Sequence, residues 1–274
     1  MISRDPRLVR RVLQIFRPML SRYFRAAHEG VSRVPDGPCV LVSNHNIAVP
    51  WELLAIVSAW EERFEGKRGL YFLTADIWFR LPGLRSVLPR LGCIPATHEA
   101  AEEALSEGAG LLVFPGGSRE ASRPFWRWKQ SDLGGRLGWA RIARRAGAPL
   151  VPVSVAGSHL INPVLVQSPL LGWISGVRFL GEKWMPITLG QLLLAAGAGI
   201  ATALVAPPWA AALAAYFTLW NPAGAYFPLF PSKIRVKFGE AFSPPAGSEE
   251  AALRASYEQV SRAVQAGMDE LLAG

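Results

Sequence analysis

From Trp184 to Ser232 the chain runs for 49 residues without a charged side chain. No solvated loop has that composition; such a run needs a protein core or a lipid phase to cover it. Ala206-Pro207-Pro208 divides it. The first part, 187–206, has the roughly 20 residues that a membrane span requires. The second, 209–230, is interrupted by Asn221-Pro222 and Pro228. Lys183 flanks one end, and Lys233 and Arg235 flank the other. Basic residues on both sides place both ends on the cytoplasmic face. The segment 184–232 therefore reads as a hydrophobic hairpin inserted into the membrane, as a true span or a re-entrant pair of helices, against the alternative of two core helices in a soluble protein.

The rest of the composition points the same way. Of 274 residues, 50% are hydrophobic and 18% charged, where a soluble domain carries about 25% charged. Disordered, collagenous and disulfide-scaffold classes are excluded. Cys39 and Cys93 form no metal-ligand spacing, and no metal site is expected. The net charge of +8 is concentrated at the N-terminus, where residues 1–35 hold eight arginines against Asp5 and Glu29. Asp5 and Pro6 suit a helix start. On a helical wheel over 8–25, Leu8, Val9, Val12, Leu13, Ile15, Phe16, Met19, Leu20, Tyr23 and Phe24 fill one half. Arg10, Arg11, Arg17, Arg22 and Arg25 fill the other. Pro18 should kink this helix. Residues 1–34 thus read as a basic amphipathic helix lying on an anionic membrane surface, with a helix packed on the core as the alternative. Nucleic-acid binding lacks any recognition motif.

Between these segments strands alternate with helices. Strands are expected at 39–42, 70–74, 110–114, 149–155 and 234–238, and helices at 51–63, 100–107, 134–146 and 248–272. This alternation predicts an α/β fold, a mixed and largely parallel sheet flanked by helices. The core would comprise 35–183, then 233–274 as its last strand and C-terminal helix. The strand at 234–238 joins the same sheet only if the intervening segment returns to the side it left, as a hairpin does.

Several places could carry chemistry. Ser43-Asn44-His45-Asn46 follows the first core strand, where α/β folds build their sites. Phe114-Pro115-Gly116-Gly117-Ser118-Arg119-Glu120-Ala121 offers backbone N–H groups at a Gly-Gly turn and a guanidinium fork for phosphate. Gly135-Arg136-Leu137-Gly138 opens a helix, and Pro149-Leu150-Val151-Pro152-Val153 forms a strand. There is no Gly-x-Ser-x-Gly elbow, no phosphate-binding Gly-x-x-x-x-Gly-Lys loop and no Gly-x-Gly-x-x-Gly run. His98-Glu99 is followed by Glu102 rather than a second histidine, so a zinc-protease motif is absent. His28 and His159 read as structural.

In this order the blocks resemble the glycerolipid acyltransferases, the lysophosphatidate and diacylglycerol acyltransferase-like enzymes. Asn44-His45 is similar to the catalytic histidine block. Phe114 to Ala121 resembles the acceptor-phosphate block, in the Phe-Pro-Gly-Gly form of the diacylglycerol branch. Leu81-Pro82-Gly83 and Leu91-Gly92-Cys93-Ile94 are similar to the block between them. The resemblance implies a membrane-bound O-acyltransferase of lipid metabolism. It would move a fatty acyl chain from acyl-CoA or acyl carrier protein to a hydroxyl of a glycerolipid or lysophospholipid, without a cofactor. His45 would be the general base. Gly116, Gly117, Ser118, Arg119 and Arg136 would bind phosphate or the developing oxyanion. The family carries an aspartate five residues after its histidine; here that position is Pro50, and the first acid is Glu52. Glu52 either replaces the aspartate or complements the first turn of the following helix. The alternative function is a catalytically silent lipid-binding protein of the same fold. Membrane lipids and an acyl thioester are the expected partners, at the cytoplasmic face of the cell membrane; the acceptor and the oligomeric state are not specified.

Overall fold

A computed structural model describes residues 4–47, 49–80, 82–247 and 249–274. Leu81 of the middle block, Ser248 at the expected start of the last helix and residues 1–3 lie outside them. Seven strands form the main sheet: β1 (Ala27–Glu29), β2 (Cys39–Ser43), β3 (Leu70–Thr74), β4 (Cys93–Pro95), β5 (Gly110–Val113), β6 (Leu150–Ala156) and, after a small second sheet of β7 (Val164–Ser168) and β8 (Met185–Thr188), β9 (Arg235–Phe238). The order is β1-β9-β6-β2-β5-β3-β4, parallel except where β9 meets β6. The expected mixed, largely parallel sheet is present.

Every residue of β2, β5 and β6 is buried, which is why these strands read as continuous apolar runs. Their alternate side chains feed two cores. Leu41, Phe72, Leu112 and Val151 pack with Ile56 and Trp60 on one face. Val40, Val42, Leu111 and Leu150 pack with Ala140, Ile142 and Val260 on the other. The first face is covered by α1 (Pro6–Pro18) and α2 (Val49–Phe64). Two short helices, α3 (Asp76–Arg80) and α4 (Leu84–Leu91), lead into β4, and α5 (His98–Ser106) into β5. After β5 come α6 (Gly117–Ala121) and α7 (Gly138–Ala146). The helix expected from 134 starts at 138 because Gly134 and Gly135 take positive φ, 70° and 68°. The remaining helices are α8 (Pro169–Ile174), α9 (Leu189–Ala203), α10 (Pro208–Leu219) and α11 (Glu250–Ala273).

The N-terminal helix departs from its expected setting. Asp5 caps it through the N–H groups of Arg7 and Leu8. At Pro18 it passes into a π-helical turn, Met19–Tyr23, rather than ending. Its apolar half is not free: Val9, Leu20 and Phe24 are buried in the core, with Leu13, Met19 and Tyr23 packed against it. The arginine-bearing face remains outward, and of the apolar half Ile15 is left 65% exposed.

The uncharged segment forms a helical hairpin, α9 and α10, turning at Pro207-Pro208. Thr188 and Gln191 form a capping box that starts α9 only at Leu189, because Ile187 belongs to β8. The helix is then 15 residues, about 22 Å at 1.5 Å per residue, short of the ~30 Å hydrocarbon core. Among the described residues no helix is long and apolar enough to cross a membrane, so 187–206 does not form the spanning member of the two forms left open. Nor are these core helices. No residue of α10 is buried, and Leu204 and Val205 are 80% and 87% exposed. The base of the hairpin is fixed by Asn162, whose amide donates to the Gly224 and Ala225 carbonyls and accepts from the Gly190 N–H.

Candidate active site

The parallel register sets Val42 of β2 beside Val113 of β5 and Pro152 of β6. The segments leaving the carboxyl ends of β2 and β5 therefore emerge side by side. His45 lies two residues past β2 and Phe114 one residue past β5, and their rings stack with centroids 4.4 Å apart.

The imidazole is held from its other edge by Glu52. His45 Nδ1 lies 2.7 Å from Glu52 Oε1. Glu52 is in the first turn of α2 and is fully buried. It also accepts from the Asn46 N–H at 3.1 Å, the Asn46 amide at 3.2 Å and the Ser158 hydroxyl at 3.0 Å. A carboxylate so supplied with donors has only acceptor oxygens, so Nδ1 carries the ring proton and Nε2 presents its lone pair. Nε2 has no hydrogen-bond partner among the described residues, and the ring is partly exposed. Glu52 both touches the imidazole and stands in the first turn of α2.

The main chain around His45 is pinned as well. Asn44 donates its amide to the Val155 carbonyl at 2.9 Å and accepts from the Val155 N–H at 2.8 Å. Glu120 Oε2 accepts from the His45 N–H at 3.0 Å, and Arg123 Nη1 donates to the His45 carbonyl at 2.5 Å. Asn44, Asn46 and Glu120 stand inside the motifs legible in the sequence, yet nothing there gave them a role, and Arg123 and Ser158 were missed. The available signal was a Glu–Arg pair three residues apart directly after a Gly-Gly turn.

The phosphate-block residues gather beside this loop. A Cβ on Gly116 would overlap the Asp132 carbonyl and the Glu120 carboxylate, so this glycine makes room for Glu120. Gly117 has φ +55°, and a Cβ there would meet the Arg136 guanidinium at 3.2 Å. Its N–H donates to the Phe114 carbonyl at 3.1 Å and is not free in this arrangement. Arg119 is exposed and pairs with Asp132 at 3.3 Å, and Arg136 is also exposed. Ser118 gives its carbonyl to the Ser122 hydroxyl. His159, one residue past Ser158, stacks on Trp128 at 4.5 Å. Burial pulls its pKa down to about 3, so it is neutral at physiological pH.

The α/β sheet thus carries a histidine–carboxylate pair beside a Gly-Gly-Ser-Arg turn. Comparison with known proteins gives what the chain resembles. Residues 25–156 match the Acyltransferase family model. The crystal structure of the 1-acyl-sn-glycerophosphate acyltransferase PlsC from Thermotoga maritima aligns with a TM-score of 0.53 at 20% identity, covering 97% of this chain and 82% of that one. An uncharacterized protein of Mycobacterium tuberculosis is 32% identical over 64% of this chain and 49% of its own length. A Gallus gallus protein, described as a DGAT1/2-independent enzyme synthesizing storage lipids, is 31% identical over 45% of this chain and 36% of its own length. The chain is thus similar to acyltransferases in sequence over 25–156 and to the PlsC structure in fold. It spans 49% of the length of the Mycobacterium tuberculosis relative and 65% of an uncharacterized Mycobacterium leprae protein that is 28% identical over 95% of this chain.

Proposed function

We propose that the protein transfers a fatty acyl chain from a thioester, acyl-CoA or acyl carrier protein, to a hydroxyl of a glycerolipid or lysophospholipid at a membrane surface. The observation that carries this reading is the His45–Glu52 pair, with Nε2 left unpartnered. Nε2 takes the proton of the acceptor hydroxyl as its oxygen attacks the thioester carbonyl. The tetrahedral oxyanion collapses, the carbon–sulfur bond breaks, and the thiolate leaves with the proton from Nε2. Glu52 keeps the imidazole in the required tautomer and supports its transient positive charge. No covalent enzyme intermediate and no cofactor is needed. Arg119 and Arg136 are the candidates for substrate phosphate, since both are exposed beside the site and hold their charge. The absence of an acid at the family position favours a silent lipid-binding protein, but the buried Glu52 supplies that acid from two residues further on.

The membrane face follows from the exposed apolar residues of the hairpin and the outward arginines of α1. The hairpin enters one leaflet without crossing, and the arginines meet lipid phosphates.

The test is turnover of the full-length protein on phosphatidylserine-containing vesicles. Long-chain acyl-CoA is the donor, and lysophosphatidate or diacylglycerol the acceptor. His45→Ala should lower kcat by about 10²–10⁴-fold, the range for general-base catalysis, with folding unchanged by circular dichroism. Near-normal turnover of that variant would discard the mechanism. Vesicle binding without transfer by the wild-type chain, on any of these acceptors, would favour the silent binder.

A further inference from the structure

We propose that Glu120 and Arg123 are positioning residues for the acyl-transfer step, clasping the main chain of His45 from both sides so that its imidazole meets the acceptor hydroxyl. The inference rests on His45 being the base. Three observations carry it.

First, the two side chains take opposite ends of one residue. Glu120 Oε2 accepts from the His45 N–H and Arg123 Nη1 donates to the His45 carbonyl. Glu120 Oε1 is held in turn by the Asp132 N–H at 3.0 Å. Arg123 Nη1 also reaches the Glu120 carbonyl at 3.0 Å, and the two charged groups lie 3.8 Å apart. Second, the sequence clears space for this arrangement, since any side chain at Gly116 would overlap the Glu120 carboxylate. Third, the pair is poorly built for stability alone. Both side chains are buried. Arg123 Nε and Nη2 have no hydrogen-bond partner among the described residues. Burial pushes the Glu120 carboxyl up to about 8, against the pull of Arg123 and the two N–H groups, and lowers the Arg123 guanidinium pKa. A buried ion pair rarely adds net stability over well-packed apolar groups.

Glu52 fixes the ring, but it cannot fix where the ring starts. A displacement of about 1 Å in a reacting group can cost 10²-fold in rate. The main-chain clasp removes that freedom, and it ties the histidine loop directly to the helix of the Arg119 motif.

The experiment compares Arg123→Lys, the double variant Glu120→Gln/Arg123→Met and His45→Ala in full-length protein, reading kcat, both KM values and the melting temperature. The double variant removes both buried ionisable groups together and leaves neither without its partner, so its melting temperature should stay near the wild-type value. A glutamine side chain in place of Glu120 offers one acceptor and turns its NH₂ toward the second N–H donor, while a methionine in place of Arg123 donates nothing. The expected result is kcat lowered about 10²-fold at unchanged KM despite normal stability. Arg123→Lys keeps one donor and should lose about 10-fold. A purely structural pair predicts the opposite, with kcat recovering as stability does. A folded double variant within threefold of wild-type kcat therefore overturns the proposal. Should the double variant fail to fold, Arg123→Lys decides: a fall in kcat at unchanged KM and melting temperature supports the clasp, and an unchanged kcat overturns it. His45→Ala separates the two readings. If it keeps wild-type turnover, the base assignment fails whatever the clasp variants do. If it is inactive while they are normal, the clasp alone fails.

Discussion

The N-terminal segment 6–23 and the hairpin 189–219 both announce apolar surface, and the fold treats them oppositely. The first has a clean division of arginines from apolar residues, and most of its apolar half packs on the core, Ile15 excepted. Phe24, just past the π turn, is 0% exposed, and Phe16 meets Trp51 edge-on at 5.8 Å. The second has no polar face to set against its apolar one, and it stands out from the sheet with Leu193, Ile200, Leu204, Trp209 and Phe217 exposed. Periodicity reports that a helix has an apolar face. It does not report what covers that face. The difference here comes from neighbours: α1 lies over α2 and the sheet, whereas α9 and α10 lie mainly on each other, with Gly199 allowing Ala215 and the Ala211 carbonyl to come close.

The largest expected effect breaks the first region. Phe24→Ala removes a fully buried ring that touches Trp51 and Tyr23. It should cost about 3–5 kcal/mol, the range for Phe→Ala in a core, measured by urea unfolding. If Phe24 instead served a membrane, this change would leave unfolding in solution nearly untouched and weaken vesicle binding alone.

The second prediction reverses those readouts. Leu204→Ser with Phe217→Ser replaces two exposed apolar side chains of the hairpin. Exposed positions away from packing shift stability by about 0.5 kcal/mol or less, so unfolding should be nearly unchanged. Burying a Leu or Phe side chain is worth roughly 1.5–3 kcal/mol, so affinity for vesicles should fall about 10²-fold or more. The fall should persist in high salt, because insertion is not weakened by screening. Unchanged vesicle affinity would show that something other than lipid covers this hairpin.

How far the sequence reveals each part follows from the range of the interactions involved. Strands at 39–43, 70–74 and 110–113 were legible because buried parallel strands are short apolar runs bounded by Pro, Gly or Asp. The second sheet was not, since β7 and β8 are short, carry Gln167 and Pro186, and find each other across two intervening helical turns. His45 could be picked out by its place at a strand end and by the resemblance of its block. Its contact with Glu52 could not be decided, because residues seven apart across a loop meet only if that loop folds back. Glu120, Arg123 and Ser158 reach the loop from 75, 78 and more than 100 residues away. Only the pairing of β2 with β5 and β6 brings them there, and that pairing is not written in any local pattern.

The smallest effect sharpens what is left of the N-terminal helix as a membrane element once its apolar half is accounted for. Arg7, Arg11 and Arg22 are exposed on its outer face. Their guanidinium groups have no ion pair or hydrogen bond among the described residues. A basic side chain near an anionic leaflet contributes about 1 kcal/mol, and the attraction decays within a Debye length of about 8 Å at physiological salt. Arg11→Gln should therefore weaken binding to phosphatidylserine-containing vesicles by about fivefold at physiological salt. The difference should shrink toward nothing at high salt and on purely zwitterionic vesicles. Thermal unfolding should not move, since the guanidinium touches no core residue. Read together with the hairpin variant, the salt response separates the two regions: one contact fades with ionic strength and the other does not. A loss for Arg11→Gln that is the same at low and high salt would mean that this arginine acts through packing rather than charge, and that the outer face of α1 is not an electrostatic one.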